Sequence, residues 1–403
     1  MKPRRILIFS FAYYPRFIGG AEVAIKEITD RIRPEEVEFD LVSLRLDSAL
    51  PKEERIGNVN IYRVGWSTGK KFSTDSLPWY LHLNKYLYLF TAFAEARRLN
   101  RSRHYDAIWS IMATYSSFAA VIFKLAYPKI PYVLTLQDGD PIPYIKRRAI
   151  PLYPLFKRIF TKADYIQTIS KYLADWAKDM GAKCPISVVP NAVNVELFSK
   201  KPNEADAQEL KRKLGKKDGD IFLVTTSRLV VKNAVGDVIS ALQYLPANVK
   251  FMILGQGYQE ADLKSQVSNL KIEDRVKFLG FVPHEEMPPY LHISDIFIRP
   301  ALSEGLGNSF LEAMAARIPV IATPVGGIPD FLIDGETGLF CEVGNPRSIA
   351  QKVEKLLKDA ESRSYIVDRA AEMVNRKYQW ASIVAKMKEI FMVLAYDRVD
   401  HKS

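Results

Sequence analysis

"DIFIRPALSEGLGNSFLEAMAARIPVIATP" (295–324) carries the pattern that decides the fold. An apolar run ends at Pro300, a loop with glycines follows, "NSFLEAMAA" is strongly helix-forming, and "PVIATP" (319–324) is a second apolar run. Strand-length runs joined through a helix indicate parallel strands with a crossover helix. The alternation extends in both directions. "DIFLVTTS" (220–227), "VKFMILG" (249–255) and "RVKFLG" (275–280) precede it. Towards the N-terminus lie "RILIFSF" (5–11), "EFDLVSL" (38–44), "VNIYRV" (59–64), "YDAIWSI" (105–111), "PYVLTLQ" (131–137), "DYIQTIS" (164–170) and "PISVVPN" (185–191). Several runs are apolar throughout, as strands covered on both faces are. The expected class is α/β with parallel sheets.

A chain of 403 residues exceeds one ordinary core, so two domains are expected. "SKKPNEADAQELKRKLGKKDGD" (199–220) is polar, lysine-rich and almost without large apolar residues, which places the junction there. The expected division is a first domain over 1–198, a linker over 199–219 and a second domain over 220–377. "YQWASIVAKMKEIFMVLAYDRV" (378–399) reads as one more amphipathic helix. Two successive α/β domains would form a cleft, and open α/β sheets bind ligands beyond the carboxyl ends of their strands.

Composition narrows the function classes. Nearly half the residues are hydrophobic and about a quarter charged, a globular balance. No apolar stretch approaches the roughly 18 residues of a membrane span. The N-terminal "MKPRRILIFSF" has too short an apolar run for a signal sequence and reads as a first strand, so a cytoplasmic protein is expected. Only Cys184 and Cys341 are present, without a CxxC or Cys/His cluster, which argues against a disulfide framework or structural zinc. A net charge of +11 attracts polyanions: nucleic acid, anionic headgroups or phosphorylated small molecules. No nucleic-acid recognition module is present. "LPWYLHLNKYLYLF" (77–90) and "PYIKRRAIPLYPLFKRIF" (143–160) mix aromatic and basic residues. That mixture fits a segment touching anionic headgroups, and equally helices packed on a sheet with lysines outside.

Within the opening stretch, Glu304 stands beside glycines and Glu312 inside the helix. Each is either a solvated acid or part of a polar site, since an unpaired buried carboxylate is costly. Asn308 or Ser309 is expected to cap the helix. The free N–H groups around Gly305, Leu306, Gly307, Asn308 and Ser309 suit a phosphate or sugar oxygen. In "SRLVVKN" (227–233), Arg228 follows a strand and Lys232 comes four residues on, two cations suited to a diphosphate leaving group unless they are merely solvated. "GQGYQEA" (255–261) lacks the third glycine of a dinucleotide fingerprint, so a dehydrogenase is rejected, while Gly255, Gln256 and Gly257 remain candidates for a nucleotide site. Gly19 and Gly20 precede a helix, as a simple turn or as an anion contact. In "TLQDGDPIPY" (135–144), Asp138 and Asp140 are too few ligands for a hard metal, and a polar acceptor contact through Gln137, Asp138 and Asp140 is favoured.

Taken together, these motifs resemble the retaining glycosyltransferase family 4. The resemblance runs over essentially the whole chain and is strongest in the second half, where Glu304 and Glu312 match the E-x7-E motif. It implies the GT-B fold, two Rossmann-like doubly wound domains facing across a cleft, with the C-terminal helix returning to the first domain. It further implies that Arg228 and Lys232 bind the donor diphosphate, Glu304 the transferred sugar and Glu312 the ribose. Backbone near Phe281 and Val282 would meet the base, and Gly19 and Gly20 would border the phosphate and acceptor. The implied reaction moves a hexose from a nucleotide-diphosphate sugar to a lipid-linked or saccharide acceptor on one face of the sugar, with no metal and no cofactor beyond the co-substrate. The implied place is the cytoplasm, held to the inner face of the membrane by the basic surface. Two departures stand out: Gln137 where relatives often have histidine, and Arg317 where glycine usually follows the "EAMAA" run. The alternatives left open are a sugar-nucleotide epimerase of the same fold and a non-catalytic nucleotide-sugar-binding scaffold.

Overall fold

The structure is a computed structural model that describes residues 3–16, 19–67 and 79–400, so the start of the aromatic and basic stretch 77–90 lies outside it. The chain divides into two compact units: residues up to Asn191 together with those from Trp380, and Ala192–Gln379.

Among the described residues the first unit holds eight strands: β1 (Arg4–Phe9), β2 (Val37–Leu44), β3 (Glu53–Ile56), β4 (Val59–Val64), β5 (Ala107–Ile111), β6 (Tyr132–Leu136), β7 (Tyr165–Thr168) and β8 (Ile186–Val188). They lie in the order β3-β4-β2-β1-β5-β6-β7-β8. Every pairing is parallel except that of β3 with β4. Ile6, Leu7, Ile8 and Phe9 are all buried, which is why β1 is apolar on both faces. The helix Trp380–Asp400 belongs to this unit: Phe391 packs on Phe39 and Trp109, and Lys388 Nζ reaches Glu36 Oε1 at 2.6 Å.

The second unit has six strands, all parallel: β9 (Ile221–Thr226), β10 (Val249–Leu254), β11 (Val276–Gly280), β12 (Ile296–Arg299), β13 (Val320–Ala322) and β14 (Leu339–Phe340). Their order is β11-β10-β9-β12-β13-β14. Succession runs outward from β9 on one side and from β12 on the other. The loops after these two strands therefore leave in opposite directions, opening a crevice at their carboxyl ends.

The sequence reading did not anticipate β3 and β14. The segment expected as a linker over 199–219 holds a helix, Glu204–Lys213, inside the second unit. The division lies between Asn191 and Ala192 rather than after residue 198, because Phe198 is fully buried against His284 of the second unit.

Candidate active site

The loops after β9, β10, β12 and β13 are stitched together by their backbones. Leu302 N–H donates to Lys232 O at 2.7 Å, across the point where strand order reverses. Leu229 N–H donates to Gln256 O at 2.9 Å, Gly255 N–H to Gly280 O at 2.7 Å, and Gly327 N–H to Glu304 O at 3.1 Å. Glycine is required where these chains touch. A Cβ on Gly255 would lie 1.9 Å from Ser227 O, one on Gly257 2.2 Å from Leu229 O, and one on Gly326 1.8 Å from Glu304 O. The rim of the crevice is thus one backbone network that carries its side chains on short tethers.

Glu304 is largely buried, and both of its oxygens are engaged. Oε2 accepts from Arg299 Nη2 at 2.7 Å and Oε1 from Gly305 N–H at 2.9 Å. Arg299 is the last residue of β12 and is buried. Its guanidinium carbon lies 4.2 Å from the ring centre of Phe310, within cation–π range. Burial draws the Arg299 pKa down, while Glu304 and Glu312 push it back up. The helix Asn308–Ala315 starts at Gly307, with φ +92°, and not at an Asn or Ser cap. A side chain at 307 would strike Phe310 and Arg299, so the cap is given up to keep the helix start against them. Leu306 is buried, Asn308 half-buried, and Ser309 Oγ has no partner among the described residues.

Glu312 is buried on the same helix and meets His284 Nε2 at 3.0 Å. The His284 ring is half-exposed and rests edge-on against Phe198, with centroids 5.1 Å apart. Arg228 is exposed and Lys232 half-buried, and Asn233 Nδ2 fixes the turn between them by donating to Arg228 O at 2.7 Å. Gln256 is exposed on the adjoining loop. Phe281, 70% exposed, directly follows β11, while Val282 points inward. Arg228, Lys232, Glu304, Glu312 and the 305–309 backbone are therefore held by one network at one end of one sheet, with Gln256 and Phe281 on its neighbouring loops.

Gly19, Gly20, Gln137, Asp138 and Asp140 belong to the first unit. Gly19 N–H donates to Glu22 Oε2 at 2.9 Å at the start of the helix Gly20–Asp30, and Gly20 is exposed. Gln137 Oε1 accepts from Asn191 Nδ2 at 3.2 Å. Asp138 is buried and accepts from Ala113 N–H at 3.2 Å, tying the loop after β6 to the one after β5. Asp140 is half-buried. The departure at Arg317 has a local account. Its φ is +61°, and Ile318 N–H donates to Ala313 O at 3.0 Å, a reversal that favours glycine at this position. Arg317 also pairs with Asp368 on the helix Ala360–Lys377.

Arg299 and His284 are the site residues that sequence reasoning missed. For Arg299 a signal existed: a cation inside "DIFIRP", an otherwise apolar central strand, must find a counter-charge. His284 in "VPHEEM" carries no such mark.

Two family models match the chain, Glycosyltransferase Family 4 over residues 18–197 and Glycosyl transferases group 1 over residues 206–373. An uncharacterized glycosyltransferase of Methanocaldococcus jannaschii is 27% identical over 95% of this chain and 97% of its own length. Among solved structures, sucrose-phosphate synthase of Thermosynechococcus elongatus superposes with a TM-score of 0.82 at 18% identity, covering 99% of this chain and 100% of that one. Anabaena HepE in complex with UDP and glucose superposes at 0.76 with 19% identity, covering 97% and 100%.

Proposed function

Since the chain belongs to the family 4 glycosyltransferases, which use nucleotide sugars, we propose that it transfers a hexose with retention of configuration to a lipid-linked or saccharide acceptor. The observation that carries this reading is the Leu302–Lys232 backbone bond, which ties the loop bearing Arg228 and Lys232 to the loop bearing Glu304. Arg228 and Lys232 hold the diphosphate and stabilise its charge as it leaves. Glu304 accepts from the sugar hydroxyls, assisted by the N–H groups from Gly305 to Ser309. Glu312 accepts from the ribose hydroxyls, and the backbone at Phe281 and Val282 meets the base, with Gly255 and Gln256 beside it. The bond from the anomeric carbon to the β-phosphate oxygen breaks through an oxocarbenium-like state. The acceptor oxygen bonds to the same face, and its proton passes to the leaving phosphate. The two cations take the place of a metal. Gly19 and Gly20 at a helix start and Gln137, Asp138 and Asp140 in the loop after β6, all of the first unit, serve the acceptor side.

The first unit also supports membrane attachment. No residue of the helix Ile142–Ala149 is buried; it carries Lys146, Arg147 and Arg148, and Tyr144, Ile150, Leu152 and Tyr153 are exposed along and after it. Among the described residues no helix is long and apolar enough to cross a membrane, so attachment is at the surface of an anionic bilayer.

The test is thermal stabilisation by nucleoside diphosphates and nucleotide sugars, with and without chelator. UDP heads the panel because HepE was solved with it. A shift for one base that survives chelation is expected, and Glu304→Ala and Arg228→Ala are expected to abolish most turnover. No shift with any nucleotide, or full turnover in both variants, would overturn the donor site.

A further inference from the structure

The acidic pair has a partner that the E-x7-E spacing does not reveal. Every neighbour of Arg299 in β12 is apolar: Ile296, Phe297 and Ile298 are fully buried. An aliphatic side chain would fill such a position without the desolvation cost of a charge. The arginine is nevertheless built in with care. Its Nη2 lies 2.7 Å from Glu304 Oε2, its guanidinium carbon lies over the Phe310 ring, and Phe310 packs against Phe297 and Phe331 with centroids 5.6 and 5.7 Å away. Gly307 leaves room for it: a Cβ there would stand 2.8 Å from Nη2. Its Nε has no partner among the described residues, and the Nη2 contact with Glu304 is its ion pair.

We propose that Arg299 is the positioning residue of the sugar-binding carboxylate, fixing Glu304 in orientation. This rests on the reading of Glu304 given above. With Arg299 on Oε2 and Gly305 N–H on Oε1, each oxygen takes one protein donor and keeps a lone pair for a sugar hydroxyl. Lysine is a poor substitute, because a point charge on a flexible stem neither stacks on Phe310 nor holds one carboxylate orientation.

The experiment compares Arg299→Met, Arg299→Lys, Glu304→Gln and Arg299→Met/Glu304→Gln in the full chain. The substrate is the nucleotide sugar selected by the stabilisation panel, and release of nucleoside diphosphate is followed. Glu304→Gln is expected to lower kcat about 100-fold or more. Arg299→Met should cost roughly 10- to 100-fold in kcat/KM, since the carboxylate loses the donor that orients it. Arg299→Lys should lie between, and affinity for the bare nucleoside diphosphate should stay within about threefold of the parent. The double variant should be no worse than Glu304→Gln alone, because a residue that acts through Glu304 has nothing left to act on. Multiplying losses, or an affinity for the bare nucleoside diphosphate that falls as far as kcat/KM, would overturn the proposal while leaving Glu304 in its role. Full turnover in Glu304→Gln would overturn the sugar-site reading itself, and this inference with it. Should Arg299→Met not fold, Arg299→Lys decides by the same two criteria, nucleoside diphosphate affinity and additivity with Glu304→Gln.

Discussion

Gly307 shows how one missing side chain sets the geometry of a site. Its φ of +92° is disfavoured for any L-residue, and a Cβ there would lie 2.5 Å from the Phe310 ring and 2.8 Å from Arg299. Both neighbours are buried, and Arg299 is tied to Glu304, so neither can retreat cheaply. Gly307→Ala should therefore destabilise the second unit by about 2–4 kcal/mol, from left-handed backbone strain together with overpacking. Urea unfolding followed by the signal of that unit measures the loss, and a change under about 1 kcal/mol would show that the loop relaxes freely. Turnover should fall further than stability alone explains, because the clash displaces the arginine that orients Glu304. Arg317 is the counter-example. It also sits at positive φ, but at a helix end where its exposed side chain meets only an exposed aspartate, so the strain there stays local.

At the scale of elements, the post-strand loops act as one piece because glycines let their backbones touch. Gly257→Ala leaves φ in an ordinary region but sets a Cβ 2.2 Å from Leu229 O, inside the segment that carries Arg228 and Lys232. That segment must shift, and nucleoside diphosphate affinity should fall about tenfold or more by calorimetry, roughly the effect expected when a charge-assisted contact is misplaced. An unchanged affinity would mean that the two cations do not hold the diphosphate. These loops also mark where sequence reading stopped. Twelve strand runs were legible because parallel strands covered on both faces must be apolar. The antiparallel edge strand β3, "EERI", alternates exposed and half-buried residues and offers no such run, and β14 is two residues long. Glu304 and Glu312 stand out as candidates by their spacing and context. Arg299 was an anomaly the sequence displayed, a charge in an apolar strand, but its partner was not legible, because the pairing depends on how the loop after β12 folds back on the strand end. The Asn or Ser cap expected for the helix was displaced by Gly307 for the same reason: contact with Arg299 and Phe310 outweighed the local capping preference.

For the whole molecule the question is what the +11 charge is for, and the first unit gives the place to ask it. Lys146, Arg147 and Arg148 crowd the last turn of the helix Ile142–Ala149, and Arg147 and Arg148 lie 5.8 and 5.5 Å from the Tyr144 ring centre. The helix Tyr153–Thr161 adds Lys157 and Arg158, while Tyr86 and Phe90 stand more than half exposed on the helix Trp79–Arg103. Cations beside exposed aromatic rings suit an anionic headgroup layer, where each Lys or Arg contributes about 1 kcal/mol at low salt and rings add interfacial burial. Flotation with phosphatidylglycerol vesicles at about 0.05 M salt should carry the protein up, and raising salt to about 0.5 M should release most of it as the screening length shortens. Charge reversal by Lys146→Glu with Arg147→Glu should weaken binding at least 100-fold, since two favourable terms become repulsive. Nucleotide affinity should be untouched by that pair, which lies in the first unit, whereas the proposed donor residues lie in the second. Binding that ignores salt would point to the exposed rings as the main anchor. Binding that survives charge reversal would remove this face from the account and leave the excess charge to steer an anionic donor or acceptor towards the enzyme.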